Sequence, residues 1–186
     1  MRVNVVGIDI GFGFTKATNG RDTLVFKSIF GEASDIPFRE QLLSAASPEE
    51  HLHIELDGES FFVGELAEHQ SHVRSFTLDQ NQFITNFAKT MAMAAHSRLA
   101  SPNDSVNLVT GLPVSFYRRH REELSGLLLG RHTLATLDAN ANRREIPLTV
   151  NQVRVIPQPF GSLFNLMMGD SAELTDKRFA EEKIGV

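Results

Sequence analysis

An α/β domain is the fold this sequence predicts, and two observations carry it. Residues 3–30 hold three β-rich runs, broken by a glycine turn and an Asn-Gly pair. From about residue 79 the pattern changes: apolar residues recur at helical spacing, and the segments between are short and β-branched. Hairpin-linked strands followed by alternating helices and strands imply a mixed sheet, because parallel neighbours need helical crossovers.

Val3–Ile10 is almost continuously apolar and β-branched, which predicts a buried strand. "FTKATNG" and "RDTLVFKSIF" predict two more, turning at Asn19–Gly20, where both residues tolerate positive φ. Little periodicity follows Gly31 until about Glu50. "HLHIELDGESFFVGE" then predicts a second hairpin turning at Asp57–Gly58, so residues of about 32–75 read as an insertion on the main sheet. "DQNQFITNFAKTMAMAAHSRLA" predicts the clearest helix. Asp79 and Gln82 resemble a capping box, Phe83, Phe87, Met91, Ala95 and Leu99 share one face, and Pro102 stops it. "SVNLVTGLPV" is the next buried strand, ended by Pro113; Ser115 is placed to cap a helix running to about Leu128, with Gly130 closing it. Strands at about Arg131–Leu137 and Glu145–Val150 flank the polar loop "DANANRR", and "QVRVIP" is one more short strand. Pro159 suits a first helical position, and the stripe Phe160, Leu163, Phe164, Met167, Met168 ends at Gly169. This order fits a ribonuclease-H-like plan: a mixed sheet flanked by helices, with insertions after the third strand and after the second helix.

Composition narrows the function. A net charge of −5 gives no overall basic field to draw the chain to nucleic acid or anionic lipid. The absence of cysteine excludes a disulfide framework and a thiolate metal site. Asp9 interrupts the apolar run after Arg2 and no small-residue cleavage site follows, which argues against a signal peptide. No stretch approaches the roughly 20 apolar residues of a membrane span. A cytoplasmic location without membrane contact is the plain expectation.

The chemistry is concentrated in "VVGIDIGFGFTK". The third position of a dinucleotide-binding fingerprint holds Lys16, and no Gly-Lys-Ser/Thr follows, so neither common phosphate-loop motif applies. What remains is Asp9 at a strand end, a turn through Gly11, Phe12 and Gly13, and Lys16 on the returning strand. Such a hairpin can aim backbone N–H groups at an anion in the manner of a nest. Glycine lets a phosphate approach without a Cβ in the way. Asp9 suits the hydrated divalent ion that accompanies a nucleotide, and Lys16 the phosphate charge. A tight hairpin with a capping Asp and a solvated Lys is the structural alternative.

"GIDIGFGFTKA" resembles the first phosphate loop of the actin-like ATPase superfamily, which includes DnaK-type chaperones and sugar kinases. Within it, the chain is most similar to prokaryotic actin homologues of the ParM/StbA plasmid-segregation type and their archaeal relatives. "FFVGELA", "VTGLPV" and "VIPQPFGSLF" agree with that resemblance in the same order, over nearly the whole chain. The resemblance implies that Asp9 organises the metal, that Gly11, Phe12 and Gly13 cradle phosphate with Thr15 and Lys16 beside them, and that Gln158 positions the attacking water. Actin has a serine where this chain has Phe12, so a hydroxyl contact is lost. The family's second phosphate loop and adenosine pocket belong to a second domain. The expectation is therefore an N-terminal domain over residues 1–183, with 184–186 beginning the next, folded but nearly inactive alone. The full-length protein is expected to bind ATP or GTP with Mg²⁺, hydrolyse it, polymerise with itself, and reach DNA through an adaptor protein, without direct nucleic-acid contact.

Other readings stay open on the sequence. A small-molecule (sugar) kinase or phosphatase shares the first loop. A nuclease would need Glu32, Glu55, Glu59 or Glu65 gathered beside Asp9 for two metals, which their spacing does not provide. The isolated chain as an interaction module is a further alternative. His51 and His53 read as exposed hairpin residues, "YRRHREE" and "NRR" as solvated faces, and Ser115 and Ser162 lack triad partners.

Overall fold

The computed structural model describes residues 4–33, 51–71, 74–75, 86–99, 105–167 and 173. Val3, the Asp79–Gln82 capping box, Phe83, Pro102, Met168, Gly169 and the stretch 184–186 lie outside them. Among the described residues, ten strands, numbered in chain order, form one sheet in the order β3-β2-β1-β8-β10-β9-β5-β6-β4-β7. β1 (Asn4–Ile10), β2 (Phe14–Thr18) and β3 (Thr23–Lys27) are antiparallel neighbours, as the three runs predict. β1 also pairs in parallel with β8 (Ser105–Leu112), which pairs in parallel with β10 (Arg143–Pro157). β9 (Gly130–Leu137) continues antiparallel from β10 into the insertion. There β5 (Leu52–Leu56), β6 (Glu59–Val63), β4 (Phe30–Glu32) and β7 (Arg74–Ser75) extend the sheet. Among the described residues, the helices are α1 (Glu65–Gln70), α2 (Asn86–Leu99), α3 (Val114–Leu128) and α4 (Gln158–Met167).

Both expected hairpin turns form. Asn19 Oδ1 accepts the amides of Arg21 and Asp22, and its Nδ2 donates to the Leu99 carbonyl, tying the β2–β3 turn to the end of α2. Asp57 and Gly58 have φ of 52° and 91°, the left-handed pair of a two-residue hairpin. α2 departs from a one-faced helix: Ala88, Ala92, Met93, Ala94 and His96 are buried together with Phe87, Met91, Ala95 and Leu99. Its alanines allow close approach to β1 and β2, and burial of all but Asn86, Lys89 and Arg98 makes it the central helix of the core.

Three expectations are corrected. Ser115 caps nothing: α3 starts at Val114, the N-cap position is Pro113, and no side chain caps it. The two strands expected over residues 145–157 are one, with a register shift between Val150 and Gln152. That bulge reverses the alternation. Ile146, Leu148 and Val150 face the core before it, and Val153 and Val155 pack against the core after it. Finally, His51 is buried and His53 half-buried, its ring edge-on to Phe62 at 4.7 Å with Nε2 2.8 Å from Ser60 Oγ.

The histidines make the insertion acid-sensitive. Burial, then the nearby His51, holds His53 down at about 4, and burial and Arg98 also lower His51; Glu55 and Asp138 partly oppose this. A folded pKa below the unfolded value means the unfolded chain binds more protons between about 4 and 6.5. Stability is therefore complete above 6.5 and lost as pH falls towards 4. Discounted for half-exposure, His53 contributes on the order of 1 kcal/mol. The melting temperature should fall between pH 7.5 and 4.5, and His53→Gln should flatten that fall; an unchanged pH slope in the variant would contradict the assignment.

Candidate functional site

The site lies at the carboxyl ends of β1, β8 and β10, where ligands bind in open α/β sheets. Val6, Ile8 and Ile10 point into the core, so the alternation sends Asp9 to the opposite, open face, where it is exposed. Lys16 stands opposite Asp9 in the β1–β2 ladder and is also exposed. Asp9, Gly11, Lys16 and Gln158 line one open crevice of about 1210 Å³, together with Pro159 and Ser162. That exceeds the roughly 300–1,000 Å³ of small-molecule pockets. Residues far apart in sequence are brought together here because β1 and β10 flank β8 and α4 begins as β10 ends.

The turn is built differently from a nest. Neither Gly11 nor Gly13 has positive φ, and the Gly11 amide is engaged with the Phe14 carbonyl at 3.1 Å. Gly11 is needed for space: a Cβ there would meet that carbonyl oxygen at 2.9 Å. Gly13 is exposed, with nothing within 4 Å of a notional Cβ, so the space beside it at the tip is open. Phe12 turns to a second, small cavity of about 60 Å³, lined by Ile10, Gly11, Leu112, Pro113, Phe116 and Gln158.

Thr15 faces away from the crevice. Its side chain is fully buried, and its hydroxyl lies 2.9 Å from Ser28 Oγ, while the Ser28 amide donates to the Gly13 carbonyl at 3.0 Å. Residues 13, 15 and 28 thus brace the turn from behind. Thr15→Val should destabilise the chain by about 1–3 kcal/mol, because Ser28 Oγ is left buried without its partner. Adding Ser28→Ala should recover part of that in denaturant melts; strictly additive losses would show that the pair does not act together.

The donor set fits a phosphate-bound hydrated cation on one side: an exposed carboxylate, an adjacent ammonium and an open glycine turn. It does not assemble a nuclease centre. Glu55 is paired with Arg143, and Glu65 with Lys27 at 2.9 Å. Among the described residues, the one cluster at metal-ligand spacing is Glu65, Glu68 and His69, and the Lys27 ammonium already occupies its carboxylates. Sequence reasoning gave no role to Gly111 or Phe116, although Gly111 lies within the segment "VTGLPV" that supports the resemblance.

Among the described residues, no helix is long and apolar enough to cross a membrane. No curated protein matches the chain. Among solved structures, the apo ParM protein of psk41 is similar with a TM-score of 0.73 at 20% identity, covering 95% of this chain and 56% of that one. A ParM of Clostridium botulinum, solved as a 15-stranded filament, gives 0.72 at 25% identity, over 88% of this chain and 50% of that one. An archaeal actin homologue in complex with ADP gives 0.64 at 18%, over 89% and 47%. The chain therefore spans about half the length of these structures. A family model described as the N-terminal domain of actin-like proteins matches residues 7–161, from the middle of β1 into α4. The fold and that match together make this chain a member of the actin-like protein family, in its N-terminal domain.

Proposed function

We propose that this chain forms one wall of a nucleotide site in a filament-forming actin-like protein that segregates plasmid or other DNA. The observation that carries the reading is the convergence of Asp9, Gly11, Lys16 and Gln158 on one crevice. The ligand is ATP or GTP, with Asp9 holding Mg²⁺ through water. The bound ion would supply charge neutralisation at the phosphates. Lys16 adds a second positive charge, and the open turn at Gly13 admits phosphate oxygens to the backbone. Gln158 orients the water that attacks the terminal phosphorus, a role that needs position and no shifted pKa. Polymerisation, an adaptor protein for DNA and a cytoplasmic setting belong to the same reading. The likeness to a ParM filament and to an ADP-bound actin homologue supports it over a small-molecule kinase.

The test is a calorimetric titration of the 186-residue chain with ATP and Mg²⁺. Positioning and charge stabilisation supply nearly all catalysis in phosphoryl transfer, and one wall supplies only part of either. Weak binding, with Kd above about 100 μM, and negligible hydrolysis are expected. Micromolar affinity, about −8 kcal/mol, would contradict the half-site reading.

A further inference from the structure

Gly111 lies near the end of β8, beside Ile156 of β10. A Cβ on Gly111 would stand 2.8 Å from Cγ of Gln158, 3.5 Å from its Cα and 3.6 Å from the Ile156 carbonyl oxygen. The first distance is shorter than real contacts allow. It also cannot be relieved at a flexible tip, since Cγ is one bond from Cβ on a residue held at the start of α4. Gly111 has no positive φ, so the backbone does not require glycine there. The requirement is space for Gln158.

A second observation concerns where that space directs the side chain. Gln158 lines both the wide crevice and the small cavity, and so stands between them. The small cavity is walled by Ile10, Phe12, Leu112 and Phe116, which offer an amide no hydrogen-bonding side chain. Burying the amide on that side would leave its donors and acceptor unsatisfied, whereas the crevice is open to water and to Asp9. The apolar wall and the missing Cβ therefore act in the same sense.

We infer that Gly111 is a positioning residue, whose missing side chain seats Gln158 with its amide turned into the crevice of Asp9. The functional weight of that seat rests on the proposed role of Gln158; the seat itself rests on the geometry.

A double-mutant cycle on the 186-residue chain tests it. Gly111→Ala should lower Tm by roughly 3–8 °C when Gln158 is present, and by less than about 1 °C in the Gln158→Ala background, where no Cγ remains to be met. Equal losses in both backgrounds would overturn the inference. In a chain extended to the length of its relatives, Gly111→Ala should lower kcat by about 10- to 100-fold, with KM within about twofold. It should have no further effect once Gln158 is alanine. A Gly111→Ala enzyme with parental kcat, beside a Gln158→Ala enzyme that has lost it, would also overturn the inference. If Gln158→Ala itself kept parental turnover, the water-orienting role would fall, and the melting cycle would still decide the seat.

Discussion

Val150→Asp is expected to abolish folding of the chain. Val150 is buried where β10 lies between Gly130 of β9 and Val106 of β8. It ends the inward set Ile146, Leu148 and Val150; past the extra residue Asn151 the strand directs Val153 and Val155 inward, with Arg154 exposed. A carboxylate at position 150 is buried without a partner, which costs several kcal/mol on top of the lost valine packing. That loss consumes most of the roughly 5–15 kcal/mol that holds a domain together. Deletion of Asn151 should be far milder: residues 151 and 152 both face outward, so removing one joins the two halves in a single alternation that keeps both inward sets in the core. Asn151→Ala should change stability by less than about 0.5 kcal/mol because the side chain is exposed. Circular dichroism melts of the three variants check this. A Val150→Asp variant that melts cooperatively at the parental temperature would show that this face of β10 is not part of the core.

The second large effect is on turnover. In the chain joined to a second domain, Asp9→Ala should lower nucleotide hydrolysis by about 10²–10³-fold or more, the scale of removing one preorganised charge-stabilising group. Stability should barely change, because the Asp9 carboxylate is exposed. Phosphate-release kinetics beside a thermal melt separate the two. Hydrolysis at the parental rate in Asp9→Ala would return this residue to the role of a turn former.

Much of the fold was legible because its signals are local. Three β-rich runs, Asn19–Gly20 and Asp57–Gly58 each specify a turn or a strand by chemistry confined to a few residues. The line of β10 was not legible, because its bulge breaks the alternation that identifies a strand and makes one element read as two. Ser115 looked like a cap by type and spacing, but the helix begins directly after Pro113 and leaves it inside the first turn. At the site, the strand parity that turns Asp9 outward also turns Lys16 outward and Thr15 inward, since the two strands pair Asp9 with Lys16 and Ile10 with Thr15. The neighbouring pair runs against hydrophobicity: Phe14 is 50% exposed and Thr15, which the resemblance places beside the phosphate, is fully buried. Gly111 stood in view within "VTGLPV", but its role was not legible, because that role is a contact with a residue 47 positions later, created only by the parallel pairing of β8 and β10.

The central claim is that the nucleotide's phosphates and metal sit between Asp9 and Gln158. Paramagnetic line broadening measures this directly on the 186-residue chain, since weak and fast-exchanging binding suffices. Millimolar ATP with substoichiometric Mn²⁺ should broaden the amide signals of Asp9, Gly11, Gly13 and Lys16 and the side-chain amide of Gln158, and Asp9→Ala should remove most of the effect. Broadening centred on Glu65, Glu68 and His69, with the signals around Asp9 and Gln158 untouched, would contradict the account.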